Sequence, residues 1–265
     1  MRSFSTVLLV CVFLQLGAQE DNGQLLQITH HRVMVIPFNE FYYLSDADPE
    51  LAKANNKNPE DVSVLFRYGI TNNVATRVIS SYDTYNILTD TTVQSQVDLN
   101  RIYGSILYKY QKPINSTDSD SSSREIFKQD VFGLKHEVEQ PKASKKNSTD
   151  PDKKFMNAVV KDETLFPYLQ EKYGVDMFVF INQFEVKTNW ENCLDLATHN
   201  FEREIIVHFS IYNAMGKELK GDAVSVIFPS TERSFDQIIS SQFPLIADQL
   251  GMAVQESAYS ESLKK

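Results

Sequence analysis

Apolar and polar residues alternate most regularly between Tyr173 and Ser230. Met177, Val179 and Ile181 interleave with Phe178, Phe180 and Asn182. Ile205, Val207, Phe209 and Ile211 interleave with Ile206, His208, Ser210 and Tyr212, and Val224, Val226 and Phe228 follow. A period of two in stretches rich in β-branched and aromatic residues predicts three consecutive strands. Asn213–Lys217 supplies the turn between the last two, with Gly216 free to take a positive φ. The rest of the chain reads as elements packed on this meander.

Upstream, Arg32–Phe38 is a continuous apolar run stopped by Pro37, which predicts a central strand buried on both faces. Asn39–Lys57 reads as a long polar connection. Its aromatic residues Phe41, Tyr42 and Tyr43 either pack beneath it or line a small-molecule site. Asn58-Pro59-Glu60-Asp61 is a helix start: a capping side chain, proline at the first position, then acids at the positive end of the dipole. Val62, Leu65, Phe66, Ile70, Val74 and Val78 carry that helix to about Ser80. Tyr85–Thr89 predicts a short strand. A helix capped by Asp98 then follows, with Leu99, Ile102, Tyr103, Ile106, Leu107 and Tyr110 along one side. Asp162 caps the next helix, which turns Leu165, Leu169 and Tyr173 inward and ends at Gly174 in a left-handed conformation. After the meander, Ser234 and Gln237 form a capping box, and Pro244 kinks or splits the helix that follows. The tail, residues 258–265, reads as frayed.

Residues 111–154 break the pattern. They are rich in Ser, Asn, Asp and Lys, with Pro113, Pro141 and Pro151, and hold too little apolar surface to offset the entropy of ordering. The segment is expected to be a flexible insertion. Ile126, Phe127, Val131, Phe132 and Leu134 inside it form a partner-binding segment, a flap, or a merely sticky piece of loop. Asn115 and Asn147 begin Asn-x-Ser/Thr sequons. The predicted fold is α+β: a single mixed sheet of about five strands with helices packed on it, in the order β-α-β-α-(insertion)-α-β-β-β-α.

This order resembles the amino-terminal domain of TolB and its relatives, which include the CsgG curli-secretion lipoprotein and the lipoprotein activators of penicillin-binding proteins. Four stretches carry the likeness. Arg32–Phe38 is similar to the family's opening strand ending in Pro-Phe, and Tyr85–Thr89 to its short second strand. Tyr173-Gly-Val-Asp-Met-Phe-Val-Phe180 resembles its helix-to-strand handover, and Ile211–Leu219 its closing hairpin. The likeness spans about residues 28–254, without the insertion. Several family features are missing: Thr89-Asp90 stands where a basic residue is usual, no glycine closely follows Phe180, and the lipoprotein cysteine is absent. No pair of long alternating strands is present to build a pore. The resemblance therefore implies an envelope-facing binding domain and does not carry over pore formation.

Composition narrows the choice further. Met1–Ala18 has Arg2, an apolar run from Val7 to Leu16 and small residues at its end, the pattern of a secretory leader cleaved after Ala18. The run is too short for a membrane anchor, which needs roughly 20 apolar residues, and no later segment is expected to span a bilayer. Cleavage would leave Cys193 as the only cysteine, so no intramolecular disulfide is expected. Losing Arg2 would take the net charge from −9 to −10, which disfavours nucleic acid and anionic lipid as partners.

The chemistry sits in the Lys187–Asn200 loop. It holds Trp190, Cys193, Asp195 and His199. A thiol nucleophile needs a base, and His199 or His208 offers one. Cys193, Asp195 and His199 offer three metal ligands, at a spacing that matches no signature. A lone cysteine is more often a small buried hydrophobe. Trp190 is either a binding anchor or a core residue. Adjacent His30 and His31 would point to opposite faces of a strand and so share no metal. No Gly-rich phosphate loop or nucleophile elbow is present. The leading expectation is a non-enzymatic exported domain that binds a cell-envelope protein through Trp190, Phe127 and Phe132, without a cofactor. The alternative is an exported hydrolase or metal-dependent enzyme using the Cys193/His199 loop.

Overall fold

Three apolar strands in register organise the chain. A computed structural model describes residues 31–113, 154–190 and 201–263. The meander forms as expected: β6 (Met177–Asn189), β7 (Glu202–Asn213) and β8 (Glu218–Pro229) pair antiparallel in sequence order. Gly216 takes φ 75° in the turn between β7 and β8. β1 (Arg32–Ile36) lies parallel to β6 on one side and to β3 (Asp83–Asn86) on the other. β2 (Tyr43–Ser45) pairs parallel with the far half of β6. The result is a mixed sheet of six strands in the order β3-β1-β6-β7-β8, with β2 beside β6.

Both faces are covered. On one lie α1 (Asp48–Ala54), α2 (Pro59–Ile79), α5 (Phe235–Ser241) and α6 (Phe243–Ser262), packed on Val33, Val35, Val179, Phe184, Val207 and Phe209. On the other lie α3 (Val93–Gly104), α4 (Leu165–Tyr173) and a ribbon of β4 (Ile106–Gln111) and β5 (Phe155–Val160), packed on Met34, Ile36, Phe178, Phe180 and Tyr212. α2 begins where the capping signal puts it, with the Asp61 carboxylate accepting from the Asn58 N–H at 3.2 Å. Gly174 ends α4 at φ 65°. Pro244 splits the last helix into α5 and α6.

Four expectations are corrected. The polar connection 39–57 contains a 3₁₀ turn (Glu40–Tyr42), β2 and α1. The helix expected from Asp98 to Tyr110 is capped instead by Thr92 and stops at Gly104; Ile106–Gln111 leaves it as a strand, because β5 offers a ladder that outweighs a helical spacing of apolar residues. Asp98 lies buried within α3, where Tyr168, Lys172 and Tyr173 of α4 all donate to it. Burial opposes its ionisation, but these three bonds outweigh that and hold the carboxyl below its usual range. Asp162 precedes the true cap of α4, Thr164, and accepts from its N–H at 2.9 Å. At the carboxyl end α6 runs on to Ser262, with Ala258 buried, where a frayed tail is expected.

The handover at Tyr173–Asp176 has a physical role. The Asp176 carboxylate accepts from the Arg32 N–H at 2.9 Å and contacts His31 Nδ1 at 2.8 Å, and Arg32 Nη1 donates to the Tyr173 carbonyl at 2.7 Å. The start of β6 is thereby tied to the start of its parallel neighbour β1.

Candidate functional site

A bulge sets the geometry of the site. On β6 the register with β7 slips between Ile181 and Gln183, leaving Asn182 as an extra residue. The alternation of β6 therefore reverses. Before the bulge Phe178 and Phe180 face the ribbon; after it Gln183 and Glu185 do, and Phe184 and Val186 join the helical core opposite. Asn182 is fully buried and donates to the Met156 carbonyl at 2.9 Å and Ser210 Oγ at 2.7 Å.

Beyond the bulge a buried polar network joins sheet to ribbon. His208 Nδ1 accepts from the Met156 N–H at 3.0 Å, so the imidazole carries its proton on Nε2, which lies 3.2 Å from Glu185 Oε1. Gln183 donates to Glu185 and, at 3.0 Å, to the Tyr110 hydroxyl. Lys187 pairs with the other Glu185 oxygen. Further along, Ser210 donates to Asn157 Oδ1, and Asn157 Nδ2 donates to Glu218 at 2.9 Å. Burial opposes ionisation of Glu185, but the side-chain contacts of His208 and Lys187 and the Lys187 charge prevail and hold its carboxyl at about 2.

This network fastens the ribbon to the sheet. His208 is buried within it, with Nδ1 bound to the Met156 N–H of the ribbon. The depressed Glu185 value makes a pH prediction. Its folded pKa lies below the ordinary 4.5, so its stabilisation is fully present above that value and is lost as pH falls towards 2. At about 1.4 kcal/mol per unit, the loss amounts to about 3 kcal/mol. Urea unfolding at pH 5.5 and about pH 2.5 should give a steeper loss for the natural chain than for Glu185→Gln; equal losses would refute this role.

The far end of β6 is anchored on its helical face. Asp46 accepts from the Thr188 N–H at 3.0 Å and from its hydroxyl at 2.8 Å. Arg203 on β7 is buried, its side chain 1% exposed, and pairs with Glu50 of α1; Arg233 reaches the same carboxylate at 2.7 Å. The Arg203 guanidinium lies 5.3 Å from the centre of the Phe201 ring. Phe201 is buried, and Trp190 rests on it with ring centres 4.9 Å apart. Trp190 itself is 61% exposed. Of the two readings open to this tryptophan, the structure puts it at the surface, with one face supported.

The other sequence-derived residues divide clearly. Phe127 and Phe132, and the metal or catalytic candidates Cys193, Asp195 and His199, lie outside the described residues. The aromatics Phe41, Tyr42 and Tyr43 do not converge on a site. Phe41 is 89% exposed, Tyr42 leans on Tyr108 with ring centres 4.0 Å apart, and Tyr43 stacks on Phe38 and Phe184. Beside them is an open hollow, lined by Leu44, Ser45, Asp46 and Lys187 among others. Among the described residues no cluster of three or more His, Cys, Asp or Glu side chains could hold a metal. Sequence reasoning missed the Glu185–His208 pair and the Glu50–Arg203–Arg233 triad. Their one local signal was an odd polar residue in an apolar strand; their partners come from distant parts of the chain.

The fold and this end of the sheet define an α+β domain in which a mixed sheet carries a buried polar seam and a surface-exposed aromatic. The chain matches no family model and no curated protein. No helix among the described residues is long and apolar enough to cross a membrane.

Proposed function

We propose that the chain is an exported, non-enzymatic binding domain that docks a cell-envelope protein through the end of the sheet carrying Trp190. One observation carries this reading: Trp190 is exposed yet supported from below by Phe201, which is in turn backed by the buried Arg203. Such a side chain offers a large apolar contact at small entropic cost, the property of an interface hot spot. The apolar start of the chain, read as a leader, and the resemblance to TolB-type domains supply the envelope setting.

The test is a pulldown from native envelope extracts with the natural chain and with Trp190→Ala. A single captured species, bound more weakly by the variant by roughly 2 kcal/mol or more, is expected. The variant should unfold at nearly the same urea concentration, since the lost surface is mostly solvated. Equal capture by both chains, or no capture by either, would reject the reading. As the only tryptophan in the chain, Trp190 also reports directly: its emission should shift to shorter wavelength when the partner covers it.

A further inference from the structure

β8 leaves a long sheet edge open. It is 12 residues long and, among the described residues, pairs only with β7. A row of unpaired N–H and C=O groups is a template for another strand, so natural edges are kept short, charged or interrupted. The other edges of this sheet follow that rule: β3 has four residues and begins with Asp83, and β2 has three. The first part of β8 follows it too. Glu218, Lys220 and Asp222 alternate there, Asp222 Oδ1 accepts from the Ala223 N–H at 2.8 Å, and the Phe155 ring lies against Gly221. From Ala223 to Ser230 the strand carries no charge at all.

The direction of the free groups follows from the register. The Ser230 N–H donates to the Phe201 carbonyl at 2.9 Å. Pairing with β7 is unbroken from Pro229 back to Lys220, so Phe228, Val226 and Val224 also turn their backbone groups to β7. Ile227, Ser225 and Ala223 turn theirs outward. Among the described residues the outward groups of Ser225 and Ile227 meet no partner, and the Ile227 side chain is 58% exposed.

We infer that this edge is a self-pairing surface, on which the β8 strands of two copies join antiparallel about a two-fold axis at Ser225 and make one continuous sheet. Such an interface is isologous, so the edge must complement itself. On the axis the two Ser225 residues exchange N–H···O=C bonds. The Ile227 N–H of each copy donates to the Ala223 carbonyl of the other, which leaves the Ala223 N–H on Asp222. The side chains match as well: small Ala223 lies opposite large Ile227 on the ribbon side, and Val224 lies opposite Val226 on the helical side. Charge selects the same register. Two chains of net charge −9 repel each other overall, so the contact must fall where the edge is uncharged. With the axis at Ser225, each Asp222 meets Phe228 of the other copy and no like charges stand opposite. Sliding the axis to Asp222 would set two carboxylates against each other. One strand pair buries less than the roughly 800 Å² per partner of a standard interface, but main-chain bonds carry the affinity of strand addition. A dimer in the micromolar range is expected.

Sedimentation velocity of the full chain over a hundredfold range of concentration tests this. The natural chain should pass from monomer to dimer. Ser225→Lys, which sets two ammonium groups opposite each other on the axis, should weaken the dimer about tenfold or more. Its melting temperature as a dilute monomer should stay close to that of the natural chain, because the change lies on the open edge. A second variant reads the register. Opposed residues of this type have Cα atoms about 5.5 Å apart, within the span of a disulfide. In a Cys193→Ser background, Ser225→Cys should therefore oxidise to a covalent dimer, whereas Ala223→Cys, which faces Ile227, should not. A chain that stays monomeric throughout, a dimer that survives Ser225→Lys, or equal crosslinking at both positions would overturn the inference. So would a monomer whose Ser225 and Ile227 amides become protected from hydrogen exchange only in complex with a captured envelope protein, since that would assign the edge to a foreign strand.

Discussion

Glu50→Ala should destabilise the chain by about 3–5 kcal/mol, far beyond what a partly exposed carboxylate usually contributes. The reason lies with its partner. Arg203 is enclosed between β7 and the helices, its side chain 1% exposed, and its remaining polar contact is a long 3.5 Å bond from Nη1 to the Ser230 carbonyl. Removing the Glu50 carboxylate would leave a guanidinium in the protein interior with no counter-charge. Arg233 loses the same partner but is half exposed and can turn to water. The double variant Glu50→Ala/Arg203→Met separates this account from a simple loss of packing. Taking away the stranded charge should restore much of the stability, because an apolar side chain of similar size often replaces a buried ion-pair member at little cost. Urea midpoints of the two variants decide it, and a double variant less stable than the single one would refute the argument. Trp190 gives a second readout, because Arg203 backs the ring on which it rests. Its quenching by acrylamide should rise in Glu50→Ala and fall back in the double variant.

Phe66→Ala is expected to cost a further large amount, about 3–5 kcal/mol. Phe66 is fully buried on α2, and its ring centre lies 5.7 Å from Phe184, 5.7 Å from Phe235 and 5.4 Å from Phe243. It is thus the shared neighbour of β6, α5 and α6. Close packing here leaves the cavity little room to collapse. Gly69, one turn later, admits the Phe243 ring so closely that a Cβ there would lie 2.9 Å from Phe243 Cε2. Phe66→Leu should recover more than half of the loss by refilling most of the volume. Thermal or urea unfolding measures both, and a Phe66→Ala penalty below about 1.5 kcal/mol would mean that the cluster repacks freely.

The two predictions concern opposite kinds of information. Phe66 belongs to a helical period that is visible in the sequence, together with the Asn58 cap, the Gly216 turn, the Pro244 break and the three alternating strands. Local physics determined these: a cap, a positive φ or an apolar face is set by residues within a few positions of one another. The sequence also implied a mixed sheet with helices on it, because strands that alternate or run fully apolar need covering faces.

Only the tertiary structure decided the rest. Ile106–Gln111 satisfies a helical spacing, yet becomes a strand because Phe155–Val160, across the whole insertion, returns to pair with it. The bulge at Asn182 reverses which residues of β6 meet the ribbon, and this rests on bonds to Met156 and Ser210 that no local pattern encodes. Glu185 looks like a solvated strand carboxylate until His208 and the ribbon enclose it. Arg203 looks like a surface charge until α1 brings Glu50 to it. Trp190 was undecided between core and surface until Phe201 and Arg203 filled the space beneath it. A side chain's hydrophobicity and spacing act over one turn or one strand. Burial, charge pairing and exposure depend on which distant element arrives at the other side.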